Sequence, residues 1–431
     1  MGPQETGLAF LALLGVLLAL GCPVGVAMIA TGLGGFAAII GPDPALRILE
    51  RAVLETAGNP GFTVIPLFIL MGALVAEAGI GRDLFLTARR AMGGRPTGVA
   101  LAGLGASTVF AAASGSSLAT ASAMAKAALP AMRAAGTDPR LAAGSLAAGG
   151  TLGIMIPPSI ALLLYALVME QSVTEMFLAG LIPGLLGAAL YALAAILAGR
   201  AWQAGAPREA TGKPEAGARW GTMAALALFL GVMGGLYGGL FTPTEAGGAG
   251  AALALVLALA RGVRGAGVQR AMRETLSLSA ALFVILIGAE CFGYLLSVSR
   301  LASALEGWVE AAGLSPLGLI LAILAFYLVL GCVMESLAMI LLTVPIFAPL
   351  AVAAGFDPVW FGILAVTAVE VGLITPPVGM NLFVVRAAAP DIGLGTIWRG
   401  VAPFVLADVA RLALLIALPG LALWLPAALA G

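Results

Sequence analysis

The 431-residue chain contains no histidine, which excludes imidazole metal ligation and imidazole proton relays. Charged residues make up only 10% of it, against about 25% in a soluble domain. A globular protein of this length needs more polar surface than that. Its 21 Lys and Arg balance 21 Asp and Glu, leaving no basic face for nucleic acid. The three cysteines, Cys22, Cys291 and Cys332, sit in or beside apolar runs and fit neither a disulfide framework nor zinc spacing. Each reads as small apolar packing. No Lys or Arg precedes the apolar stretch within residues 1–22, which argues against a cleaved signal peptide. With no histidine, no cysteine pair and no nucleophile beside a base, no catalytic residue and no organic cofactor is expected, and the chain does not read as an enzyme.

What it has is apolar length. Hydrophobic residues make up 61% of the chain and mean hydropathy is +1.10. Apolar runs long enough to cross a bilayer recur from end to end. They are continuous rather than alternating, which excludes an outer-membrane barrel. The expected fold is an all-α polytopic membrane protein. Membrane segments are expected near 7–21, 24–40, 61–79, 139–169, 177–199, 221–240, 245–261, 277–297, 359–385 and 400–427, with two further apolar stretches at 97–131 and 315–350. The clear hydrophilic loop is 200–219. On this topology seventeen basic residues fall on one side and three on the other, so the basic side is cytoplasmic and both termini face outward. The amphipathic stretches 45–57, 80–95, 264–275 and 299–312 read either as interfacial arms or as plain connecting helices.

Shifted by 219 residues, the sequence matches itself. Ser117-Leu118-Ala119 falls on Ser336-Leu337-Ala338, Pro130 on Pro349, Asp138-Pro139 on Asp357-Pro358, Gly153 on Gly372, and Pro157-Pro158 on Pro376-Pro377. An odd number of crossings separates equivalent points, so the two copies are expected to be inverted repeats, a recurrent plan of secondary transporters.

Each copy carries two interrupted elements. Stretch 97–131 has Ser114-Gly115-Ser116-Ser117 at its centre, between apolar arms of about 17 and 14 residues, short for two full spans. It reads as a re-entrant hairpin entering from the cytoplasm. Its counterpart 315–350, with Met334-Glu335-Ser336 at the tip, enters from outside. The segments 139–169 and 359–385 are broken at Gly149–Ser159 and Glu370–Asn381. Paired prolines there remove backbone donors and glycines add freedom, so the helix unwinds. Unwound backbone at membrane depth is tolerated only when buried in protein or lining a watery cavity. Freed carbonyls and serine hydroxyls suit a bare cation, and half-helix N-termini suit an anion. Each tip facing a break would build one cation site, with an anionic solute between them. The candidate solute contacts are Thr151, Pro157, Pro158, Ser159, Pro376, Pro377 and Asn381.

Ionisable residues inside the membrane are functional candidates. Glu335 stands at the second tip and Glu370 at the second break, the latter either at the transport site or in structural hydrogen bonding. Glu290 and Asp408 lie in other spans. Arg411 pairs with Asp408 or meets a partner subunit, and Lys126 reaches the interface or the first hairpin's site.

At Gly115-Ser116-Ser117-Leu118-Ala119-Thr120, Gly153–Ser159 and above all Gly372–Val385, the chain resembles the large membrane subunit (DctM type) of tripartite ATP-independent periplasmic (TRAP) transporters. The resemblance covers essentially the whole chain. It implies a sodium-driven secondary transporter with Na⁺ as coupling ion. A periplasmic substrate-binding protein (DctP type) would deliver a small carboxylate such as a dicarboxylate or sialic acid, and a small four-helix membrane subunit (DctQ type), expected as a separate polypeptide, would bind the scaffold. It further implies an elevator mechanism. Its sodium ligands carry over to Ser114, Ser116, Ser117, Gly150 and Gly153 in the first half and to Glu335, Ser336, Gly372 and Thr375 in the second. The expected organisation is scaffold helices and a first arm at 1–60, a first repeat core at 61–199, a cytoplasmic loop with scaffold helices and a second arm at 200–276, and a second repeat core at 277–431. The runner-up is a stand-alone ion-coupled anion carrier without a binding protein.

Overall fold

A computed structural model describes residues 2–202, 218–301, 303–305, 307 and 313–429. Most of the hydrophilic loop 200–219 and the later part of the amphipathic stretch 299–312 lie outside the described residues. Every regular element among the described residues is helical, as an apolar solvent demands of a chain that must satisfy its own backbone. The first half comprises α1 (Pro3–Ala19), α2 (Val24–Ile39), α3 (Pro42–Gly58), a short 3₁₀ turn (Pro60–Thr63), α4 (Val64–Glu77), α5 (Ile80–Met92), α6 (Pro96–Ser114), α7 (Ser117–Ala134), α8 (Pro139–Leu152), α9 (Ile160–Val168) and α10 (Val173–Trp202). The second comprises α11 (Ala218–Tyr237), α12 (Pro243–Ala260), α13 (Ala266–Ser299), α14 (Pro316–Gly331), α15 (Ser336–Ala353), α16 (Pro358–Ile374), α17 (Met380–Ala388), α18 (Leu394–Ala417) and α19 (Gly420–Leu429). Among the described residues, eight helices are long and apolar enough to cross a membrane.

Local sequence explains the starts. Proline opens α3, α6, α8, α12, α14 and α16, where its missing N–H costs nothing. Asp138 and Asp357 precede two of these prolines and cap the freed N–H groups of α8 and α16. The repeated Asp-Pro pair is thus a helix start used twice.

Three boundaries differ from the sequence reading. The amphipathic stretch 264–275 and the apolar run 277–297 form one 34-residue helix, α13, because no breaker separates them. The last segment, expected as one span over 400–427, is divided at Leu418-Pro419, since the residue before a proline is disfavoured in helical conformation. The hairpin arms are longer than their apolar runs. α6 has 19 residues and α7 has 18, because helix continues past the apolar residues into Met132 and Arg133.

Helices α1, α2 and α13 pack together, α4 lies against α12 and α13, and α5 lies against α6 and α11. At the α2–α13 crossing, a Cβ on Gly25 or Gly32 would stand 2.8 or 2.7 Å from α13 backbone, so glycine permits the close approach typical of membrane helices. The amphipathic helix α5 and the end of α4 are clasped from α12 and α13. Arg261 reaches Asp83 at 2.9 Å and lies over the Trp220 ring, and Arg270 grips Glu77 with two bonds of 3.0 and 2.7 Å. Burial pushes the Asp83 carboxyl up, and Arg261 opposes that shift. α3 packs on α2 and α13, and the remaining helices gather around α8 and α16, which carry the breaks.

Candidate functional site

The first hairpin reverses in two residues. Gly115 takes a left-handed conformation (φ +66°) that closes α6, and the Ser116 hydroxyl accepts the Ala119 N–H to open α7. This brings the Ser114 hydroxyl within 2.8 Å of that of Thr120, and both residues are buried. The tip seats on the first break. A Cβ at Gly150 would lie 3.1 Å from the Ser117 carbonyl oxygen, one at Gly153 would collide with Ala111, and one at Gly115 would lie 2.8 Å from Ile160. In the break itself, α8 ends at Leu152, and the Ile154 and Met155 N–H groups turn back to the carbonyls of Thr151 and Leu152. The Pro157–Pro158 bond is cis. Ser159 then caps α9, accepting the Leu162 N–H and donating to the Ile154 carbonyl. Residues 150–160 are buried throughout.

The second pair repeats the plan with other chemistry. The Glu335 carboxylate caps α15, accepting the Leu337 and Ala338 N–H groups at 2.9 and 3.0 Å and the Ser336 hydroxyl at 2.8 Å. A Cβ at Gly372 would stand 2.6 Å from the Gly331 Cα, so tip and break meet backbone to backbone. The Gly379 N–H, in a residue with φ +53°, donates to the Cys332 carbonyl at 3.1 Å. Thr375 donates its hydroxyl to the Val371 carbonyl at 2.6 Å. Thr375 and Pro376 are half-buried and Pro377 is exposed. The Pro376–Pro377 bond is also cis.

The structure therefore gathers Ser114, Ser116, Ser117, Gly150 and Gly153 in one place, with Thr151, Pro157, Pro158 and Ser159 in the adjoining break. In the second half it sets Gly372 and Gly379 against Gly331 and Cys332, at the end of the arm that leads to Glu335 and Ser336, with Thr375, Pro376 and Pro377 in the same break. Asn381 does not stay with its own half. It is fully buried, and its amide nitrogen donates to the Ser117 hydroxyl at 2.6 Å and to the Ala147 carbonyl at 3.1 Å. Helix α17 accordingly packs on α7 and α8, while α9 packs on α15.

A fully buried ionic network braces the first break from the second half. Arg411 on α18 meets Glu370 on α16 at 2.5 Å and Asp408 at 3.0 Å. Tyr191 on α10 donates to Asp408 and lies 3.4 Å from the Thr151 hydroxyl. Glu370 accepts from Arg411 through Oε2, while the Met155 N–H of the first break stays with the Leu152 carbonyl. Glu370 thus serves hydrogen bonding here, and Arg411 pairs with Asp408 and Glu370 together. Tyr191 and Thr120 were missed in the sequence. The repeat held the signal for Tyr191: spacings of 219 and 220 set Thr151 on Glu370 and Tyr191 on Arg411.

Two cavities lie beside these elements. One of about 870 Å³ runs between α3, α9, α13 and α15 and is lined by Glu55, Asn59, Glu170, Glu290 and Tyr294. Its three carboxylates disfavour an anion. The other, about 250 Å³, is apolar and lies between α4, α6, α10 and α11, with Ile156 and Pro158 of the first break on its wall. Lys126 lies away from the tip, on the exposed side of α7.

The family model of the tripartite ATP-independent periplasmic transporter DctM component matches residues 11–421. The C4-dicarboxylate TRAP transporter large permease protein DctM of Pseudomonas aeruginosa is 36% identical over 403 residues, 92% of this chain and 93% of that protein. The sialic acid TRAP transporter large permease protein SiaM of Vibrio cholerae is 32% identical over 416 residues, 96% of each. Among solved structures, the Alcanivorax borkumensis YdaH transporter shares the fold with a TM-score of 0.64 at 18% identity, over 89% of this chain and 90% of that one. These relatives are transporter permeases, not enzymes. The chain is a multi-pass membrane protein, and it belongs to the DctM component family of tripartite ATP-independent periplasmic transporters.

Proposed function

We propose that the chain is the permease of a sodium-coupled symporter importing a small carboxylate-type solute. The observation that carries this reading is the seating of each hairpin on a broken helix, with Gly150 and Gly153 against the first and Gly372 against the second. Hard oxygen ligands replace the hydration shell of a small cation. The first site uses Ser114, Ser116, Ser117, Gly150 and Gly153, and the second uses Glu335, Ser336, Gly372 and Thr375. The solute sits between the breaks, against Thr151, Pro157, Pro158, Ser159, Pro376 and Pro377. The dicarboxylate and sialic acid specificities in the names of the relatives support a carboxylate.

The two halves act as inverted repeats, and the hairpins with the broken helices move as one block against the scaffold. The two cavities support that division, since each separates scaffold helices from hairpin or broken-helix elements. A small four-helix subunit binds the scaffold, and a periplasmic binding protein delivers the solute. The distribution of basic residues supports an inner-membrane topology with both termini periplasmic.

The test is uptake into proteoliposomes holding the chain and its small subunit, with binding protein and labelled carboxylate outside. Uptake requiring both an inward sodium gradient and the binding protein is the expected result. Sodium-driven uptake without the binding protein would indicate a stand-alone carrier. Sodium-independent uptake would overturn the coupling.

A further inference from the structure

We propose that the side-chain carbonyl of Asn381 is a ligand to the cation at the first tip, supplied across the molecule by the second broken helix. The inference rests on the sodium reading above. Asn381 is the second residue of α17 and is fully buried. Its amide nitrogen spends both hydrogens, on the Ser117 hydroxyl and the Ala147 carbonyl. A backbone carbonyl only accepts, so this partner fixes which end of the amide is nitrogen. The Oδ1 atom is left buried with no hydrogen-bond partner. Buried acceptors are nearly always satisfied, and this orphan belongs to an amide already bonded to Ser117 of the first tip, so a cation there would supply the missing positive partner.

The chemistry of the first tip supplies the reason. Its oxygens come from Ser114, Ser116, Ser117 and Thr120, all neutral, where the second tip has the Glu335 carboxylate. A cation held by neutral dipoles is held better by an amide carbonyl than by hydroxyls alone, and Asn is a regular ligand of hard cations. The residue 219 positions before Asn381 is Leu162, which offers no oxygen in return. Each site thereby has one strong side-chain oxygen: Glu335 at the second tip and Asn381 at the first. Because Asn381 rides on α17, filling the first site requires the second broken helix to be in place. That links the two halves through a ligand rather than through distance alone.

The purified chain in detergent tests this by its thermal unfolding as sodium replaces choline at constant ionic strength. Asn381→Leu is expected to raise the half-saturating sodium concentration at least about tenfold, the worth of one good ligand. Asn381→Asp keeps the oxygen and loses both donated hydrogens, and is expected to retain sodium stabilisation. If Asn381→Leu unfolds earlier in choline but keeps the wild-type half-saturation, Asn381 is only a tether and the inference is overturned. If Asn381→Leu does not fold, Asn381→Asp decides: loss of its sodium response in a folded protein also overturns it. A wild-type chain indifferent to sodium would instead defeat the sodium reading itself.

Discussion

At the first tip the side-chain oxygens are hydroxyls, one of them accepting from the Asn381 amide nitrogen, and residues 150–160 are wholly buried. At the second, a carboxylate caps the returning arm, Val333 is 66% exposed and Pro377 reaches the protein surface. The same Pro-Pro interruption is thus enclosed in one half and open in the other. Enclosure has a physical requirement: unwound backbone away from water must find partners inside the protein. The first break finds them in Ser159 and in its own turned-back N–H groups, and Thr151 beside it meets Tyr191, which the second half holds through Asp408. Asp408 is in turn held by Arg411, and Arg411 also meets Glu370. The open break needs no such bracing. The difference teaches that the buried charges, although Glu370 stands at the second break in sequence, reach the first break through Asp408, Tyr191 and Thr151.

Three pairs of substitutions press on this contrast. The largest effect is expected from Arg411→Met, which leaves Glu370 and Asp408 buried without their cation. Breaking a buried ion pair from one side costs about 3–5 kcal/mol, so the variant should lose most of its folded, monodisperse population in detergent. Thr375→Ala at the open break should leave that population unchanged, as size-exclusion profiles will show. Wild-type behaviour of Arg411→Met would remove the bracing account.

A smaller effect is expected in accessibility. In a chain freed of Cys22, Cys291 and Cys332, Pro377→Cys should react with a water-soluble thiol reagent roughly tenfold or more faster than Ser159→Cys, whose labelling must wait for local opening. Equal rates would mean that the two breaks are equally open in solution.

The smallest effect lies at the helix starts. Asp138→Ala removes the cap of α8 at a cost of about 1 kcal/mol, and Asp357→Ala does the same for α16. The Arg140 guanidinium holds the Asp138 carboxyl below the usual carboxylate range, so its stabilisation is fully present above that range and is lost as pH falls through the depressed value. Melting temperatures from neutral pH downward should show the Asp138→Ala penalty shrinking toward zero in acid.

Much of this architecture is legible in the sequence, because membrane helices are long and apolar and their interruptions are spelled in Pro, Gly and Asp. The hairpins, the breaks and the Asp-Pro starts all carry such local signals. Partnerships across the fold do not. Nothing near Asn381 shows that its amide meets Ser117, 264 residues away in sequence. Nothing near Glu370 shows that its partner is Arg411, 41 residues on. Helix lengths were also misjudged where helix outruns apolarity, as in α7, and where one helix joins an interfacial and a spanning stretch, as in α13. Composition reports the solvent a segment prefers, and hydrogen bonding decides where the helix stops.

The central claim is that each tip and its break hold a sodium ion. Its most direct test is equilibrium binding of radiosodium to the purified chain carrying Gly153→Ala or Gly372→Ala. At either position the added Cβ would press into the facing tip, against Ala111 or Gly331. The account predicts that each variant loses the sodium bound at its own tip and keeps the other. Wild-type binding in both folded variants would contradict it.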